Sequence, residues 1–121
     1  MSEEAKTGVI YAKGFSAAGV AGGLKKSGKR DCMLLHCPQK ANVAACFTTN
    51  LVKAAPVKLS QLHLQKTKRV GAVVTTSGNA NAATGKQGDA VARSICEEVR
   101  RNAIHAAYHG FRRPYHHWLC L

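Results

Sequence analysis

Ser77, Gly78, Asn79 and Asn81, with Thr84 and Gly85 close behind, form the densest group of chemically useful residues in the chain. They supply hydroxyls and carboxamides, and the glycines at 78, 85 and 88 allow turns that a Cβ would forbid. Asparagine tolerates left-handed backbone and bonds to nearby main-chain groups, so the loop can be rigid and can present amides to a ligand. It can equally be a tight crossover from a strand to a helix. The spacing favours the crossover, because it lacks both the dinucleotide fingerprint and the phosphate-loop lysine.

Other chemistries are weaker. Cys32, His36 and Cys37 lie close together, and His109, His116 and His117 crowd the C-terminal end, which raises a metal site. Residues 32–36 read as a strand, where neighbours face opposite sides, and no second cysteine pair has finger-like spacing. Buried strand thiols fit better, and no metal or cofactor is expected. Cys96 sits on the apolar stripe of a helix with no histidine or aspartate placed by the sequence to activate it. No catalytic or substrate-binding residue is assigned.

The net charge of +12 and pI near 9.9 bring nucleic acid into view as a partner. The only dense run is KKSGKR at residues 25–30, and such a run more often forms a solvated turn than a binding stripe. A small basic nucleic-acid-binding protein is therefore the rival reading. Five cysteines without a disulfide spacing suit a reducing compartment. Glu3 and Glu4 stand where a signal or transit peptide would carry Lys or Arg, and no long apolar stretch follows. A cytoplasmic protein with no membrane partner is expected.

The elements that must position the loop are read from periodicity. Residues 8–24 alternate small and apolar side chains among glycines and predict a strand pair, followed by a turn over 25–30. Residues 32–36 predict a strand that Pro38 ends, and residues 44–49 another. Residues 54–59 read as extended around Pro56, with Ser60 capping a short helix through Lys66. The apolar run 70–75 predicts a strand buried on both faces. Val91, Ile95 and Val99 recur at four-residue spacing beside Ala92 and Cys96, which predicts a helix from Asp89. Strands alternating with helices make an α/β domain. After Val99 neither period survives in residues 100–121.

Three stretches then combine. KGFSAAGV at 13–20, followed by GLKKSG at 23–28 and Asp31, resembles the opening of the glutamate N-acetyltransferases, also called ornithine acetyltransferases. FTTNLVKAAPV at 47–57 resembles their second signature, and SGNANA at 77–82 with Thr84, Gly85 and Gly88 their third, in the family's order. The resemblance implies an incomplete N-terminal part of that α/β fold, a mixed sheet with flanking helices. It also implies an arginine-biosynthesis enzyme whose precursor cleaves itself to free a threonine nucleophile. That threonine carries acetyl from N-acetylornithine, or in some members acetyl-CoA, to glutamate, while a threonine-glycine pair holds the oxyanion. This sequence has no threonine after Thr84, so neither group can be placed in it, and the nucleophilic threonine and the remainder of the enzyme are expected beyond Leu121. The chain divides into an N-terminal extension at 1–7, an acetyltransferase segment at 8–99, and a tail at 100–121 read as out of register with the family. Another reading frame is expected to restore the missing Ser-Thr-Gly motif. The loop residues Ser77 to Gly85 are read as architecture, with the chain inactive alone.

Overall fold

The apolar run that begins at Val70 lies inside a sheet, but the burial expected on both faces is found on one: Ala72 and Val74 are buried, while Val73 and Thr75 are only partly so. The structure is a computed structural model and describes residues 8–108 and 118–120. Within it, β1 (Ser16–Val20) pairs antiparallel with β2 (Cys32–Asn42), and β2 pairs antiparallel with β3 (Arg69–Thr76). A short β4 (Trp118–Cys120) runs parallel to β3, so the strand order is β1-β2-β3-β4 and the sheet is mixed. Helices α1 (Ala55–Lys66) and α2 (Gly85–Tyr108) complete the α/β fold. The expected N-terminal extension at 1–7 lies outside the described residues, as do His109, His116 and His117.

The core is built from small side chains. Ala55 and Leu59 of α1 and Ala92 and Cys96 of α2 meet over Val74, which is 1% exposed, with Leu34, Ile95 and Val99 packed around them. Both helices therefore cover one face of the sheet. In register with Val74, Leu34 shares that face, so by alternation Met33, Leu35 and Val73 belong to the other.

Several sequence expectations are corrected. Only residues 16–20 of the expected strand pair are a strand, and Gly8–Ile10 forms a single 3-10 turn. The amides of Gly22, Leu24 and Lys25 donate to the Asp31 carboxylate, which removes them from any ladder. Pro38 does not end β2. It lies in a bulge, where His36 pairs with Ala72 and Ala41 with Val70, so five steps on β2 match two on β3. A bulge needs no ladder donor from proline. Arg69 closes it, donating from Nη2 to the carbonyls of Gln39 and Lys40 at 3.0 and 3.1 Å.

Residues 44–49 form no strand. The Thr48 hydroxyl oxygen accepts from Asn50 N–H at 3.2 Å and Asn50 Oδ1 from Val52 N–H at 2.9 Å, local bonds that compete with a ladder. Helix α1 begins at Ala55 rather than Ser60, since Pro56 occupies the first turn, where its missing N–H costs nothing. Ser60 is fully buried in mid-helix. Helix α2 starts at Gly85, before Asp89, and runs past Val99 to Tyr108. Glu98 accepts from Arg101 Nη1 at 2.7 Å and from Asn102 Nδ2 at 2.9 Å, and the alanines that follow favour helix without marking an apolar period.

Leu59, 6% exposed, is the largest aliphatic side chain that α1 brings to this core. Leu59→Ala is expected to lower the unfolding free energy by roughly 2–5 kcal/mol. Urea denaturation measures it, and a loss below about 1 kcal/mol would show that α1 does not dock as described.

Candidate functional site

The strand β3 must hand the chain to α2 within a few residues, and the carboxamide of Asn81 organises that crossover. Its Nδ2 donates to the carbonyl of Gly88 at 2.9 Å, and its Oδ1 accepts from the Thr84 hydroxyl. Its backbone carbonyl takes the amide of Ala55 at 3.2 Å, and the Thr84 carbonyl takes the amide of Gly88 at 3.3 Å. One residue thereby ties the first turn of α2 to the start of α1. Glycine is a poor helix residue, yet position 88 admits nothing larger: a Cβ would overlap both Asn81 Oδ1 and the Thr84 side chain.

The other half of the loop leans on a different support. Ser77 N–H donates to the Asp31 carbonyl at 2.8 Å. Gly78 has φ of 105°, and a Cβ there would stand 2.7 Å from Lys25 Cγ and 3.4 Å from the Leu24 carbonyl carbon. The structure thus brings Asn81 and Thr84 together beside Gly85 and Gly88, and sets Ser77 and Gly78 against residues 24–31. Asn79 lines a cleft of about 320 Å³ whose walls include Leu24, Pro56, Gln87, Val91 and Ile95. Thr84 and Gly85 also border a second hollow of about 330 Å³ with Lys53, Lys58 and Asp89.

In the sequence Asp31 stands out only as part of the family pattern, whereas the structure gives it a central place. It is 3% exposed, and its carboxylate accepts from the amides of Gly22 at 2.5 Å, Leu24 at 2.7 Å and Lys25 at 2.9 Å. The signal was present: a single acid directly after a basic, glycine-containing turn. The amides of Lys25 and Gly22 lower its pKa below the ordinary 3.8, against the opposing effect of desolvation, with smaller help from the Leu24 amide and the Lys25 charge. His36 is held below its ordinary 6.5 by burial.

Cys32, Cys37, Cys46 and Cys96 are free thiols. Among the described residues no group of three or more His, Cys, Asp or Glu could hold a metal ion, and no helix is long and apolar enough to cross a membrane.

Both shifted groups give stability the same sign. Each has a folded pKa below its unfolded one, so each contribution is complete above the unfolded value and disappears as pH falls through the folded value. Urea midpoints are expected to hold steady above pH 6.5, slip below it as unfolded His36 protonates, and fall again below 3.8. Asp31→Asn should abolish the second fall only; a midpoint that rises on acidification would contradict the assignment. Gly88→Ala tests the crossover by its sign. In an open helix alanine would gain about 1 kcal/mol, whereas here the melting temperature is expected to drop.

A sequence profile of the ArgJ family matches residues 16–109. The arginine biosynthesis bifunctional protein ArgJ of Gloeobacter violaceus is 49% identical over 94 residues, which are 78% of this chain and 23% of that protein. The mitochondrial ArgJ of Dictyostelium discoideum is 47% identical over 85 residues, 69% of this chain and 19% of that one. The chain therefore spans about a quarter or less of the length of these relatives. In three dimensions it is similar to the ornithine acetyltransferase of Mycobacterium tuberculosis solved in complex with ornithine, with a TM-score of 0.74 and 38% identity over 89% of this chain and 54% of that one. A profile match over most of the sequence, joined to this agreement of fold, places the chain: it belongs to the ArgJ family.

Proposed function

We propose that this chain forms the N-terminal part of an enzyme that transfers acetyl from N-acetylornithine to glutamate in arginine biosynthesis. The observation that carries the reading is the family match over residues 16–109, supported by the fold shared with a structure that binds ornithine. In the reaction that the resemblance implies, a threonine hydroxyl attacks the acetyl carbonyl, ornithine leaves with its amine, and the acetyl ester then passes to the α-amine of glutamate. Acetyl-CoA is the second donor that the family implies. No nucleophile or oxyanion pair is assigned among these 121 residues, and none of them is given a catalytic role. The acetyltransferase segment at 8–99 is proposed to carry β1 to β3, α1, the start of α2 and the Ser77 to Gly85 loop as scaffold.

The surface supports a partner of the same kind. Met33, Leu35 and Val73 lie on the sheet face away from the helices, with Met33 exposed, and a shallow hollow of about 240 Å³ opens there beside Phe15 and Cys37. Leu51 is 97% and Val52 70% exposed. Apolar surface in this amount suits packing against the remainder of the enzyme, in a reducing, cytoplasmic-type environment where the free cysteines persist. The rival reading, a small basic nucleic-acid-binding protein, finds no support in the comparisons.

The test is a chimera in which the matched 94-residue segment of the Gloeobacter violaceus relative is replaced by the corresponding residues of this chain. It is expected to form acetylglutamate from N-acetylornithine and glutamate, while the purified 121-residue chain alone stays at the level of a heat-killed control. A soluble, folded chimera without turnover would overturn the proposal, and turnover by the chain alone would overturn its assignment as scaffold.

A further inference from the structure

The cleft beside Asn79 has two rims that are far apart in sequence. One carries Leu24, from the connection between β1 and β2, and the other is the 79–81 stretch after β3. Neither rim is regular structure, so the gap between them is set by what holds the chain just beyond the last ladder pairs, Val20 with Cys32 and Cys32 with Thr76.

We propose that Asp31 is the positioning residue for this cleft, holding its Leu24 rim and its Asn79 rim in one fixed relation. Its two carboxylate oxygens fix residues 22–25 through the amides of Gly22, Leu24 and Lys25. Its backbone carbonyl holds Ser77 N–H, two residues before the Asn79 rim. Its own amide donates to the Val20 carbonyl at 3.0 Å, which anchors the whole arrangement to the end of β1. The two stretches also touch directly, since a Cβ at Gly78 would collide with Lys25 Cγ at 2.7 Å and would lie in ordinary contact with the Leu24 carbonyl. A carboxylate that accepts several amide bonds is stronger than a neutral acceptor and has directed lone pairs for each. Asparagine at the same place keeps the shape but offers one acceptor oxygen, so it cannot satisfy all three amides.

A role confined to the 22–25 turn would leave residues beyond β3 unaffected. The positioning role predicts a response there as well, and it does not depend on which reaction the complete enzyme performs.

The experiment is amide hydrogen exchange, read residue by residue by NMR, on the 121-residue chain and its Asp31→Asn variant at neutral pH. Exchange at Gly22, Leu24 and Lys25 is expected to quicken by about tenfold or more, as the loss of charge-assisted bonds implies, and Ser77 is expected to quicken with them. Val74, in the core, should keep its parent rate. Faster exchange at 22–25 with Ser77 unchanged would overturn the proposal, as would no change at any of the four. Gly78→Ala approaches the same contact from the opposite rim and carries the test if Asp31→Asn does not fold. It is expected to quicken Leu24 and Lys25 while Val74 holds; parent rates at Leu24 and Lys25 would overturn the proposal.

Discussion

The hydrogen bonds of Asn81 are the constraint on which the rest of the arrangement depends. The core beneath them is made largely of alanine, cysteine and valine, whose burial gives each contact little apolar area. Small residues let two helices approach the sheet closely, but they interlock weakly and do not by themselves select one helix position. The carboxamide supplies that selection. It engages the Gly88 carbonyl and the Thr84 hydroxyl, and the main-chain carbonyl of the same residue engages the Ala55 amide, so α1 and α2 share one anchor. A glycine at 88 is the consequence, since the anchor occupies the space a side chain would need.

Charge plays a smaller part than composition suggests. Most of the described lysines and arginines are exposed, and the ion pairs of Lys58 with Asp89 and of Arg101 with Glu98 are solvent-exposed and contribute little. The carboxylate that matters is the buried one. Asp31 meets main-chain amides rather than a cation as its nearest partners, which ties its charge to backbone geometry and not to salt. The same residue links the basic turn to the segment after β3, joining two stretches that the family resemblance treats as separate signatures.

Much of this was legible in the sequence, and the failures have identifiable causes. The strand at 70–75 was legible as a continuous apolar run and the helix from the spacing of Val91, Ile95 and Val99, although Val91 is 47% exposed and Ala92 and Cys96 carry the buried face. The ornithine acetyltransferase resemblance, carried by residues 13–31, 47–57 and 77–88, agrees with the family match. Pro38 misled because a bulge, not the end of a strand, absorbs it, and the bulge depends on Arg69 some thirty residues away. Ser60 looked like a cap because local preference could not reveal that Pro56 opens the helix. The continuation of α2 past Val99 leaves no period because alanine sustains a helix without an apolar signal. Asn81 was singled out from the sequence, but its partners at 55, 84 and 88 come together only through the fold.

The crossover is a fixed anchor for both helices, and protection of its amides tests this. In the unaltered chain, the amides of Ala55 and Gly88, bonded to the carbonyls of Asn81 and Thr84, are expected to exchange as slowly as Val74 in the core. Rapid exchange at Ala55 and Gly88 beside a slow Val74 would contradict the account, since the helices would then be held by packing alone.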